Sequence, residues 1–228
     1  MNRRTLLLSG GAALVAVGAY GGMTLLTGGG SVLDATLIDP ANAQTAPSEA
    51  IDTSRVVEME LGNAASAVTI IEYSSFTCPH CARFNQAVYP ALKAAYIDTN
   101  LVRYIKREVY FDAPGLWAGL VARCGGPMRY FGIAEILYAE QEQWAHNADT
   151  GVVADNLRRI GRRAGMNDDT LNACLTDRDM ATAMMEVYRT GALEFDIRGT
   201  PSFVINGTTH SNLSFAEFQA ILDPLLGR

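Results

Sequence analysis

Cys78-Pro79-His80-Cys81 is the segment of this chain best equipped for chemistry: two cysteines two residues apart, a short step after the apolar run Val68-Thr69-Ile70-Ile71. A strand that gives way to a helix at this point places the pair at the junction. Pro79 suits the first helical turn, where its missing N–H costs nothing. Cys78 then sits at a helix N-terminus, among free backbone N–H groups and at the positive end of the dipole. Those conditions favour the thiolate, which is the nucleophilic form of cysteine. Cys81, one turn further in, is placed to attack a mixed disulfide formed on Cys78. His80 can donate to the Cys78 sulfur or put positive charge beside it, and a dithiol stabilised in that way makes its disulfide an oxidant. The competing reading is half of a zinc site. A structural zinc site wants four ligands, usually with a second close pair, whereas Cys124 and Cys174 are solitary. The strand-to-helix setting favours redox chemistry and no metal.

The elements needed to position this pair can be read around it. Alternation over 56–61 and the apolar run 68–73 predict two strands. A helix opens at Pro79 and carries Phe84, Val88, Leu92 and Tyr96 at a spacing of four, with a kink expected at Pro90. Asp98-Thr99-Asn100 turns the chain into a strand over 101–106, which completes a β-α-β unit. From 113 to about 193 the pattern is helical, with segments at 116–124, 129–143, 152–164, 170–176 and 179–194. Gly125-Gly126-Pro127 stops the first of these segments. A strand over 202–206, the hairpin turn Asn206-Gly207, a strand over 208–211 and a helix capped by Ser214 end the chain.

Three segments resemble the DsbA family of thiol:disulfide oxidoreductases: Glu72 through Cys81, Lys106 at a strand end, and Gly199-Thr200-Pro201-Ser202-Phe203-Val204-Ile205-Asn206. They lie in the family's order and roughly its spacing, over about residues 54–228. The resemblance implies an α/β thioredoxin-like fold with an inserted all-α helical domain. Its two parts would be 54–112 and 194–228, around an insertion at 113–193. It also implies that Pro201 is a cis-proline facing the cysteines, and that the backbone of Thr200, with Gly199 before it, receives an extended substrate peptide. Thr200 departs from the valine of the family's best-known oxidase and is shared with isomerase-type relatives.

Glu72 is a charge inside an otherwise buried strand, which is expensive unless paired, and Lys106 on the neighbouring strand is within its reach. Lysine is rare here: the chain has 16 arginines and two lysines, so a smaller, titratable cation at this point is notable. In the family, an acid at the Glu72 position helps to move the proton of the resolving cysteine. Removing this charge in Glu72→Gln is expected to slow that step and to raise stability.

The 228 residues, 49% hydrophobic and 18% charged, suit a globular chain with a sizeable core. A net charge of −6 argues against a nucleic-acid partner, and Arg158, Arg159, Arg162 and Arg163 fall at helical spacing as a solvated face. Residues 1–43 do not belong to the fold. A basic start at Asn2-Arg3-Arg4 and an apolar, Gly-rich run over 6–26 predict an export signal or an N-terminal membrane anchor, with 44–53 as linker. The export route, general or twin-arginine, stays open. Export to an oxidising compartment makes pairing the expected state of Cys124 and Cys174, as a second, structural disulfide; two buried free thiols are the alternative.

The function that follows is an exported, periplasmic dithiol oxidase, monomeric and free of bound cofactor. It would introduce disulfides into reduced or unfolded secreted proteins through Cys78 and Cys81. The resemblance implies a DsbB-type, quinone-linked membrane oxidase as the partner that recharges it. Two alternatives stand beside this one. The first is a reductase or isomerase held reduced, for example in cytochrome c maturation, and the second is a Cys-x-x-Cys metal-binding module.

Overall fold

The computed structural model describes residues 50–228, and the expected export signal or anchor at 1–43 lies outside them. A five-stranded mixed sheet forms the centre, built from β1 (Met59–Gly62), β2 (Thr69–Ser74), β3 (Arg103–Glu108), β4 (Ser202–Ile205) and β5 (Thr208–Ser211), in the spatial order β1-β3-β2-β4-β5. Strands β2 and β3 are parallel, joined by the helical crossover, and all other pairings are antiparallel. Asn206 and Gly207 both take positive φ, at 46° and 85°, which a two-residue hairpin between β4 and β5 requires.

The crossover is broken where the proline stands. Helix α1 (Pro79–Ala87) ends at Val88, the short α2 (Tyr89–Leu92) carries Pro90 in its first turn, and a π-helical turn follows at Lys93–Ile97. Phe84, Leu92, Tyr96 and the last helix α9 (Phe215–Leu225) pack on the sheet face that carries Ile70 and Phe203. Ser214 and Glu217 form a reciprocal capping box at the start of α9.

Between β3 and β4 the chain is helical among the described residues: α3 (Ala113–Cys124), α4 (Pro127–Ala139), α5 (Gln141–Trp144), α6 (Thr150–Arg163), α7 (Asp168–Leu175) and α8 (Arg178–Glu194). The single helix expected over 129–143 is two helices. The backbone leaves helical geometry at Glu140 (φ −105°, ψ 14°), where its carboxylate binds Arg159 and Arg163. Helix α3 starts three residues before the apolar pattern does, because Asp112 caps it through the N–H of Gly115. Cys81, Phe76 and the apolar faces of α3, α4, α6 and α7 share one core. The arrangement is a thioredoxin-like α/β fold with a helical insertion, and a buried ion pair ties the two parts together: Arg123 of α3 holds Glu108 of β3 at 2.6 Å.

Candidate active site

Cys78 is the N-cap of α1, with extended backbone (φ −83°, ψ 119°), and its sulfur is half-buried. Both sulfurs of the Cys78/Cys81 pair are free, so the structure shows the dithiol. The thiol of Cys78 lies 3.5 Å from the carbonyl oxygen of Thr200. That residue precedes Pro201 across a cis peptide bond. The loop before β4 therefore faces the end of α1, and Gly199 lies exposed next to it.

The two thiols are driven apart by their surroundings. The Cys78 thiol is lowered from 9.0 to about 5, foremost by the hydrogen bond that Cys81 S–H donates to it. The hydroxyl of Thr200 and the backbone N–H groups of Cys81 and His80 act in the same direction, against the cost of burial. Cys81 is fully buried, and burial first, then its donation to Cys78, pushes its thiol up. One sulfur is thus an anion at neutral pH and the other keeps its proton.

His80 supports Cys78 through its main chain. The exposed ring turns to Arg83, whose Nη2 lies 2.7 Å from Nδ1. A guanidinium has no acceptor, so in this contact Nδ1 is the acceptor. The sequence-based expectation of a ring acting on the sulfur is replaced here by a backbone N–H.

Glu72 and Lys106 lie side by side in register on β2 and β3, on the face beneath α1. They are 0% and 3% exposed, and Lys106 Nζ donates to Glu72 at 2.5 Å. The hydroxyl of Tyr104 also donates to Glu72, and Lys106 stands 5.0 Å from the centre of the Tyr138 ring. Tyr104 escaped sequence reasoning, although its place two residues before Lys106 puts it on the same face of β3.

The Cys78 loop is held from the insertion side by Asp112 and Gln141, neither of which is a sequence-based candidate. Thr77 Oγ1 donates to Asp112 at 2.9 Å and lies 3.1 Å from Ser75 Oγ, so the cap of α3 also anchors the loop. Gln141 reaches the same loop from α5. Cys124 and Cys174 lie elsewhere, in the insertion, joined by a disulfide with Cα atoms 6.0 Å apart. Among the described residues, no group of three or more His, Cys, Asp or Glu side chains is placed to hold a metal ion.

The thioredoxin family model matches residues 54–224. A protein of Rickettsia typhi named as a protein-disulfide oxidoreductase is 34% identical over 170 residues, covering 74% of this chain and 62% of that protein. The chain thus spans less than two thirds of that relative's length. Among solved structures, α-DsbA1 of Wolbachia pipientis superposes with a TM-score of 0.69 at 26% identity, over 75% of this chain and 91% of its own. A protein-disulfide isomerase of Novosphingobium aromaticivorans shares the fold, with a TM-score of 0.68 at 23% identity, over 75% of this chain and 98% of its own.

Proposed function

This chain belongs to the thioredoxin family, in its DsbA-like group, and from that premise we propose that it is a thiol:disulfide oxidoreductase that donates the Cys78–Cys81 disulfide to other proteins. One observation carries the direction of transfer: Cys78 is the half-buried N-cap of α1, facing the Thr200 loop, and this setting lowers its thiol to about 5. Whatever stabilises the reduced form makes the disulfide easier to reduce, and so a stronger oxidant. A substrate thiolate attacks Cys78 of the disulfide, the Cys78–Cys81 bond breaks, and Cys81 leaves as a thiolate that takes up a proton. A second substrate thiolate then attacks the substrate sulfur of the mixed disulfide and expels Cys78. The substrate gains a disulfide, and two electrons remain on Cys78 and Cys81. Glu72, with Lys106 beside it, is the buried carboxylate suited to help the proton pass to Cys81. The Thr200-Pro201 backbone is suited to receive the substrate as an added strand.

In this reading residues 54–112 and 194–228 form the redox domain, covered by the insertion at 113–193. The protein works exported in the periplasm, released or tethered by its N-terminus, on reduced secreted proteins. A quinone-linked membrane oxidase restores the disulfide, and neither metal nor cofactor takes part. Equilibration with glutathione buffers, followed by alkylation, measures the potential directly. The expected result is an oxidised pool in the exported protein, trapped with a mass tag, and formation of disulfides in reduced, unfolded ribonuclease by the oxidised protein. A pool held reduced, with no disulfide transfer, would replace the oxidase by a reductase or isomerase.

A further inference from the structure

We infer that Gln141 is the positioning residue through which the helical insertion holds Cys78 in place, an inference that rests on the reading of Cys78 as the attacking sulfur. Gln141 opens α5 and is buried, at 3% exposed. Its Nε2 donates to the carbonyl of Phe76 at 2.7 Å and to that of Cys78 at 3.1 Å. A side-chain amide carries two N–H groups, so one nitrogen can serve both acceptors. The two carbonyls bracket the last residues of the loop that delivers the nucleophile.

The carbonyl of Cys78 already receives the N–H groups of Cys81 and Ala82, each at 3.1 Å, as the first turn of α1 closes. Gln141 adds a third donor from outside the redox domain. Two effects on the sulfur follow. The backbone of Cys78 is fixed in the extended conformation that aims its side chain at the Cys81 thiol and the Thr200 loop. The negative end of the Cys78 carbonyl dipole, which would otherwise oppose an anion on the same residue, is met by donors. Asp112 grips the loop at Thr77, so two helices of the insertion, α3 and α5, hold the nucleophile's approach. The groove between α1 and the insertion is lined by Pro79, Arg83, Gln86, Tyr138 and Gln141. It offers a control, because exposed Gln86 bonds the Tyr138 carbonyl at 3.3 Å across the same seam without touching the Cys78 loop.

Gln141→Met keeps the length of the side chain and removes both donors. Its Cys78 thiolate absorbance should titrate higher by about half a pH unit or more, and its equilibrium constant for oxidising glutathione should fall about threefold. Gln86→Met loosens the same seam and should leave both readings at wild-type values, whatever it does to the melting temperature. Unchanged titration in Gln141→Met, or equal shifts in the two variants, overturns the inference. Should Gln141→Met fail to fold, hydrogen exchange of the side-chain amide in the unmutated, reduced protein decides: protected Gln141 protons support the clamp, and free exchange ends it. A wild-type protein that transfers no disulfide yet shows protected Gln141 protons would count against the proposed activity alone.

Discussion

The four cysteines form two pairs placed at opposite ends of helices. Cys78 stands at the start of α1, where the backbone N–H groups of Cys81 and His80 help to lower its thiol. Cys124 is the last residue of α3, and Cys174 lies in the last turn of α7. The negative end of a helix disfavours a thiolate as strongly as the positive end favours it. The second pair is also 50 residues apart in sequence, so its bridge removes much freedom from the unfolded chain, worth about 4 kcal/mol in the chain-entropy model. A bridge across two intervening residues gains about half of that by the same relation. For Cys124 and Cys174 both terms favour the disulfide. For Cys78 and Cys81 the electrostatic term favours the dithiol and the entropic term is small. One residue type thus gives a structural staple or a reactive couple according to helix polarity and loop length.

The largest effect expected from disturbing the reactive pair's setting lies beneath it, at Glu72. The sequence points to a costly buried charge, with Lys106 in reach, whose removal would stabilise the fold. The structure corrects this, because Lys106 is equally buried and Tyr104 donates to the same carboxylate. Glu72→Gln leaves Lys106 as an uncompensated buried cation, at a cost of about 3–5 kcal/mol. Denaturant unfolding of the variant should show that loss, and stopped-flow reduction should show slower release of Cys81. Stability at or above the wild-type value would restore the original expectation.

The two pairs should separate cleanly under substitution. Cys124→Ala with Cys174→Ala is expected to lower stability by about 2–4 kcal/mol while disulfide transfer continues at the wild-type rate. Transfer that falls in parallel with stability would mean that the staple also shapes the reactive site, and the division drawn between the pairs would fail.

What the sequence made legible was local. Cys78-Pro79-His80-Cys81 lies on contiguous residues, and the strand before it and the proline within it fix its backbone, so its place at a helix start followed directly. The hairpin at Asn206-Gly207 and the cap at Ser214 are local in the same sense. The Glu72–Lys106 contact was within reach because a buried charge demands a partner and the next strand offered one. Gln141 could not be found in this way: a glutamine among helical residues is unremarkable until the fold brings it to carbonyls 63 and 65 positions away. The partner of the His80 ring, by contrast, is local: Arg83 lies one turn along the same helix face and competes with the Cys78 sulfur for the ring. The sequence assigns Thr200 a role for its backbone and marks its side chain only as a departure from a valine, whereas the hydroxyl that valine lacks is among the groups that lower the Cys78 thiol.

That hydroxyl supplies the smallest and sharpest test of the contrast. A thiol lowered from 9.0 to about 5 in the fold stabilises the reduced protein fully above pH 9, and the contribution is lost as the pH falls through 5. At pH 7 it amounts to about 1–2 kcal/mol, once the half-exposure of the sulfur is discounted. Reduced protein should therefore lose stability relative to Cys78→Ser between pH 7 and pH 4. The disulfide at Cys124 and Cys174 contributes nothing to the slope, because it does not titrate. Thr200→Val keeps the carbonyl that faces Cys78 and removes the hydroxyl, whose Oγ1 is buried and makes no hydrogen bond that the substitution would break. The main cause of the lowering, the Cys81 S–H, remains, so the window should move toward higher pH by only a fraction of it, worth less than about 1 kcal/mol. The rate of iodoacetamide alkylation of Cys78 against pH measures the shift. An alkylation midpoint identical in wild type and Thr200→Val would remove the hydroxyl from the account and leave the thiolate to Cys81 and the end of α1.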